Sequence, residues 1–167
     1  MNVAQRVAIV TGGGGGIGSA LVARLAREAA RVVVADLDAE TARAVSETVN
    51  ADHPGSTVSA GADVSDTEQI QQLVDLAEST FGPVDFYFAN AGIGGALGLD
   101  VSEQDWDRSI DVNLRAHIRA ARLLVPQCSS AVRATSSARL RRPDCSPRSA
   151  PPRTPSPSTR PSPSPSG

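Results

Sequence analysis

The chain has no lysine; all 16 of its basic residues are arginine. That excludes any chemistry resting on an ammonium side chain. Tyrosine occurs once, at Tyr87, and aromatic residues make up only 3% of the sequence. The two cysteines, Cys128 and Cys145, lack metal-site spacing and imply no disulfide framework, so no metal site is expected. No apolar run approaches the ~20 residues of a membrane span. The N-terminus runs directly into a strand pattern, without the look of a secretory leader. A cytoplasmic protein with no membrane contact is the expectation.

What is present is unevenly distributed. Residues 1–128 carry nine arginines against 17 carboxylates; residues 129–167 carry seven arginines and one carboxylate, Asp144. Nine of the 12 prolines also fall in the second stretch, which closes on RTPSPSTRPSPSPSG. A globular, acidic segment over 1–127 is therefore followed by a low-complexity Pro/Ser/Arg/Ala tail over 128–167. The tail has too little apolar surface to offset the entropy of ordering it and is expected to be disordered.

In the first segment, strand and helix patterns alternate. RVAIV (6–10) and RVVVADLD (31–38) are β-branched runs without alternation, as in strands buried on both faces. STVSAGADVSD (56–66) holds a third strand that ends at Asp63, and PVDFYFANAG (83–92) a fourth. Helical spacing lies between them. The helix over 67–82 places Ile70, Leu73, Val74 and Ala77 on one face and carries a capping signature, Ser65-x-x-Glu68. SEQDWDRSIDVNLRAHIRAARLLVP (102–126) reads as one long helix or two, closing at Pro126. The alternation predicts an α/β fold, a Rossmann-like doubly wound parallel sheet with right-handed crossovers.

Between the first strand and first helix stands TGGGGGIG. Thr11-Gly12, three residues, then Gly16-Ile17-Gly18 fix the register of a dinucleotide-binding turn, with Gly14 and Gly15 among the intervening residues. Such glycines let a backbone approach a pyrophosphate whose charge faces a helix N-terminus. A flexible glycine linker is the alternative. Asp36 ends the second strand, eighteen residues after Gly18. It can accept hydrogen bonds from ribose hydroxyls and would repel a 2′-phosphate, which favours NAD over NADP; a turn aspartate is the other reading.

These residues, together with Asp63-Val64, Asn90-Ala91-Gly92 and Asn113 in DVNL, resemble the smaller type of short-chain dehydrogenase/reductase over residues 3–127. The resemblance implies that Asp63 and Val64 contact adenine, although Asp63 also suits a capping turn. It implies that Asn90, Ala91 and Gly92 end the fourth strand beside the cofactor, partly as a brace for the sheet. It further implies that Asn113 kinks its helix as a member of a proton relay, with hydride passing between cofactor and a small alcohol or ketone. His53, His117 and Trp106 fit surface or packing roles.

The family's remaining groups, a serine and a Tyr-x-x-x-Lys pair, are missing, and Tyr87 lies within the fourth strand. Loss of one nucleotide after the Gln127 codon accounts for this. In the displaced frame CSSA permits MLER, ATSSARLRRPDC permits YIVSTASAAGLL and RTPSPSTR permits YTVTKHA. A serine then precedes the Tyr-x-x-x-Lys by thirteen places. The expectation is a defective oxidoreductase whose fourth strand is an unguarded sheet edge, with low stability or aggregation to follow. The resemblance also implies homo-oligomers built on the long helix. Two rival readings are a non-catalytic dinucleotide-binding protein and an interaction protein working through its basic tail; no nucleic-acid partner is expected.

Overall fold

The computed structural model describes residues 3–94 and 100–133. The tail expected to be disordered is described only as far as residue 133, and residues 1–2 and 95–99 also lie outside the described residues.

Strand and helix alternate as expected: β1 (Val7–Thr11), α1 (Gly16–Arg27), β2 (Arg31–Asp36), α2 (Ala39–Asp52), β3 (Thr57–Gly61), α3 (Thr67–Thr80), β4 (Phe86–Phe88), α4 (Glu103–Ile110) and α5 (Ala116–Arg133). The four strands form one parallel sheet in the order β3-β2-β1-β4. β1 is central, and all five of its residues are buried. Its side chains alternate between two cores. Ala8 and Val10 join Val32 and Val34 against Val22, Leu25 and Val49 of α1 and α2. Val7 and Ile9 join Val33 and Ala35 against Leu73, Val74 and Ala77 of α3, with Leu124 of α5 packed alongside. Burying an Ile or Val side chain stabilises by roughly 1.5–3 kcal/mol, so the continuous apolar runs of β1 and β2 supply the core on both faces.

Several boundaries differ from the sequence reading. β3 stops at Gly61, two residues before Asp63, because the chain turns there: the Asp63 carboxylate accepts from the Ser65 amide at 2.8 Å. The cap of α3 is Asp66, not Ser65; its carboxylate accepts from the Glu68 amide at 2.8 Å. A carboxylate two residues before the donating amide does what the Ser-x-x-Glu pattern assigned to the hydroxyl. β4 is only three residues long.

Pro126 does not close the long helix, which runs on to Arg133. Proline removes one amide donor from the ladder, but the flanking turns keep theirs and the helix continues through it. The interruption lies earlier, in a π-helical turn over Asp111–Arg115 between α4 and α5. It contains Asn113, where the resemblance implied a kink. Such turns insert one residue into the i→i+4 ladder and frequently mark functional positions. Among the described residues, no helix is long and apolar enough to cross a membrane.

Candidate functional site

The carboxyl ends of the strands open into one cleft of about 750 Å³. In an open parallel sheet this is where crossing helices diverge and leave a crevice. Gly12, Gly15 and Ile17 line it after β1; Asp36 and Leu37 follow from β2. Ala62 to Ser65 line it after β3, and Asn90 to Ile93 after β4. Arg108, Asp111 and Val112 close the remaining wall.

The glycine turn is built for close approach. Gly12 has φ +64°, and a Cβ there would meet the Ala91 backbone at 2.9 Å. A Cβ on Gly18 would collide with the Gly12 carbonyl and lie 2.8 Å from Asn90 Nδ2. These two glycines pack strand, turn and helix together. A Cβ on Gly14 would run into Thr41 and Asp36. Gly15 and Gly16 face open space instead.

The N-terminus of α1 differs from those of α2, α3 and α4. α2, α3 and α4 are capped by Asp38, Asp66 and Ser102 and carry acidic residues in the first turn. α1 starts from Gly15 with no side-chain cap and no acid. Its first amides and the positive end of its dipole are left for something external and anionic. With exposed Ile17 at the rim, these residues fit the pyrophosphate of a dinucleotide.

Asp36 stands across the turn. One carboxylate oxygen accepts from the Gly14 amide at 2.9 Å; the other accepts from the Asp38 amide at 3.3 Å. Each oxygen keeps a lone pair for a ligand hydroxyl. Asp36 thus holds the turn in place and remains on the cleft wall. Asp63 has the same double aspect: it holds the turn to Ser65 and lines the cleft, beside Val64, whose side chain is buried.

Asn90 braces the glycine turn. Its Nδ2 donates to the Thr11 and Gly12 carbonyls at 3.0 and 3.2 Å. Buried Thr11 answers: its hydroxyl accepts from the Asn90 and Ala91 amides, both at 3.1 Å, and donates to the Phe88 carbonyl. The carboxyl ends of β1 and β4 are thereby locked together.

Asn113 lies behind this wall, and its amide is fully engaged. Oδ1 accepts from the Ile93 amide at 2.9 Å; Nδ2 donates to the Ile93 carbonyl at 2.9 Å and to Ser109 at 3.1 Å. The pairing mimics a strand ladder and pins the segment after Gly92 to the π-helical turn. Of the residues picked out in sequence, Gly12, Gly15, Ile17, Asp36, Asp63, Val64, Asn90, Ala91 and Gly92 line the cleft. Gly14, Gly16, Gly18 and Asn113 support it from outside the lining.

Leu37, Ser65, Ile93, Arg108, Asp111 and Val112 were not anticipated. Arg108, Asp111 and Val112 sit at i, i+3 and i+4, a spacing that puts them on one helical face. That face could have been read once Asn113 marked its end. Asp111 accepts from Arg119 at 2.9 Å and Arg115 at 3.2 Å, and these two, Arg119 first, hold its carboxyl below the usual range. Asp66 is likewise held low by Gln69, then by the Glu68 amide, and least by the charge of Arg119. Tyr87 moves the opposite way: burial pushes its phenol up to about 12. His117 contacts the Ala89 carbonyl at 3.2 Å, and Trp106 is about half exposed.

A family model described as short chain dehydrogenase matches residues 6–137. The chain is 37% identical over 130 residues to 1-deoxy-11-beta-hydroxypentalenate dehydrogenase of Streptomyces avermitilis, covering 76% of this chain and 48% of that protein. It is 36% identical over 124 residues to a cyclohexanol dehydrogenase of an Acinetobacter species, covering 73% and 49%. Among solved structures, a short-chain dehydrogenase/reductase of Burkholderia phymatum in complex with NAD superposes with a TM-score of 0.71 at 33% identity, covering 75% of this chain and 45% of that one. A hydroxysteroid dehydrogenase of Escherichia coli gives a TM-score of 0.72 at 28% identity, covering 78% and 55%. The chain thus spans about half the length of these relatives. The chain belongs to the short-chain dehydrogenase family.

Proposed function

We propose that this chain carries the dinucleotide site of an NAD-dependent oxidoreductase acting on a small alcohol or ketone, and that in its present form it binds cofactor without turning it over. The observation that carries the reading is the uncapped, acid-free start of α1, opening through Gly15 and Gly16 into a cleft that Asp36 shares. The α1 amides take the pyrophosphate. Asp36 takes the ribose hydroxyls and repels a 2′-phosphate, and Asp63 and Val64 take the adenine. The nicotinamide held there would supply a hydride acceptor for an alcohol carbon, and the alcohol proton would then need a base.

Among its described residues the chain offers no Tyr-Lys base for that proton. It has no lysine to lower a phenol's pKa, and Tyr87 sits in β4 with its phenol raised rather than lowered. Asn113 spends its side chain on Ile93 and Ser109. We further propose that residues 128–167 are read out of frame, because the displaced frame permits a strand, a serine and Tyr-x-x-x-Lys in family order. That reading makes the tail neither an RNA ligand nor a protein ligand.

The test is NADH binding followed by fluorescence, with NADPH as competitor. Saturable NADH binding, NADPH at least tenfold weaker, and no turnover of cyclohexanol with NAD⁺ or of cyclohexanone with NADH is the expected result. Absence of NADH binding overturns the cofactor assignment, and turnover overturns the defect. Resequencing the DNA across the Gln127 and Cys128 codons tests the frame: an extra base there supports it, and an unchanged sequence with no such second frame refutes it.

A further inference from the structure

The cleft contains two charged groups that the cofactor reading above does not use, Asp111 and Arg108. Four charged side chains line it: Asp36, Asp63, Asp111 and Arg108. Each carboxylate has partners within the protein, whereas among the described residues the Arg108 guanidinium has no hydrogen bond or ion pair.

Its own helix leaves it free. An exposed arginine usually pairs with a carboxylate three or four positions away. The candidates for Arg108 are Asp105 and Asp111. Asp105 accepts from the Ser102 hydroxyl at 2.7 Å in the cap of α4. Asp111 is taken by Arg115 and Arg119. The positions four away on either side, Gln104 and Val112, carry no charge. The guanidinium is therefore presented to the cleft unneutralised.

Its place along the cleft is also defined. Arg108 lies one helical turn before Asp111. Asp111 is bonded to Arg119 on α5, and α5 packs against α3. The segment entering α3 is Asp63 to Ser65, the stretch assigned to the adenine. Arg108 thus stands at the adenine end of the cleft. The pyrophosphate end is built by Gly12, Gly15 and Ile17 after β1.

We propose that Arg108 is a cofactor-binding residue that caps the adenine base, its planar guanidinium lying against the ring. A guanidinium suits this position because it is weakly hydrated and stacks on aromatic faces while staying charged. The inference rests on the cofactor reading and sharpens it: the adenine end of the site is held by α4 as well as by the strand ends.

The test uses the full chain, with NADH binding as the signal and displacement by AMP and by nicotinamide mononucleotide as the discriminating readout. R108A is expected to weaken NADH and AMP about tenfold while leaving nicotinamide mononucleotide within twofold of the unmodified chain. R108K, which keeps the charge and loses the plane, is expected to recover only part of the AMP affinity. Unchanged AMP affinity in R108A overturns the proposal. So does an equal loss for both mononucleotides, because a general charge effect acts on both. If the unmodified chain binds neither NADH nor AMP, the cofactor reading fails together with this one; normal NADH binding by R108A sinks this one alone.

Discussion

The two edges of the sheet are finished in different ways. β3 is paired with β2 over five residues, and its outer side is met by α2. The Asn50 amide donates to the Thr57 carbonyl at 2.9 Å and accepts from the Thr57 amide at 3.0 Å. Ser46 adds a buried hydroxyl contact to Thr57 at 2.8 Å. Side chains of α2 thus occupy backbone groups that would otherwise form an open edge. β4 pairs with β1 over three residues only, and Phe86, Tyr87 and Phe88 are all half-buried. What fixes β4 lies at its two ends: Asp85 below, and Thr11 with Asn90 above. Among the described residues nothing comparable to Asn50 guards its outer side. An unguarded apolar edge is a template for pairing with another chain. The comparison teaches that the β3 edge is closed by its own helix, while β4 pairs in the sheet with β1 alone and leaves its other side open.

The largest test of that difference is Asp85→Ala. Asp85 accepts from Arg6 at 2.7 Å and from the Val7 amide at 2.9 Å. Val7 is 4% exposed, so its amide loses an acceptor that water cannot readily replace. Leaving a buried donor unmade costs about 1–3 kcal/mol, while a partly exposed ion pair contributes about 1 kcal/mol or less. The amide dominates. Asp85→Ala is expected to destabilise by about 2–3 kcal/mol in urea unfolding and to promote self-association seen by sedimentation. Arg6→Ala removes only the ion pair and should cost about 1 kcal/mol or less. Equal losses in the two variants would show that the ion pair, not the amide, anchors β4.

A second test uses pH. Burial raises the Tyr87 phenol from its ordinary 10.0 to about 12. A raised folded-state pKa means that the folded chain holds the proton more tightly than the unfolded chain. The resulting stability is complete below pH 10 and is lost as pH climbs towards 12. At about 1.4 kcal/mol per unit, the loss approaches roughly 2–3 kcal/mol. Tyr87→Phe should flatten that part of the pH–stability curve. If the variant keeps the same slope between pH 10 and 12, the β4 side is unpacking for another reason.

The same contrast explains what could be read in the sequence. β1 and β2 were legible because both faces of each strand are buried, which leaves an unbroken apolar run. The glycine turn was legible because Gly12 and Gly18 have no room for a Cβ. Their neighbours Asp36, Asp63 and Asn90 followed from a known pattern. The bounds of β4 within PVDFYFANAG were not legible, because its pairing depends on contacts with β1 that no local pattern encodes. Pro126 misled for a related reason: a helix end is set by the whole ladder, not by one missing amide. Arg108 went unnoticed because its importance lies in partners that are already taken, Asp105 by Ser102 and Asp111 by Arg115 and Arg119. A free cation looks the same in sequence as a paired one.

The smallest expected effect lies on the guarded edge. Asn50→Ala removes two hydrogen bonds to Thr57, a residue 3% exposed. Thr57 also keeps a bond from its own hydroxyl to the Ser46 carbonyl, so the strand stays attached to α2. Unlike the Val7 amide of the internal strand β1, the freed groups face outward from the sheet edge, and there the small alanine lets water in. Rehydration offsets most of the two lost bonds, which leaves a net cost of about 1 kcal/mol. The expected result is a modest fall in the urea midpoint with unchanged slope and no self-association. If Asn50→Ala instead aggregates as readily as Asp85→Ala, the Asn50 amide is the principal guard of its edge. The two sides of the sheet would then differ only in whether such a guard is present.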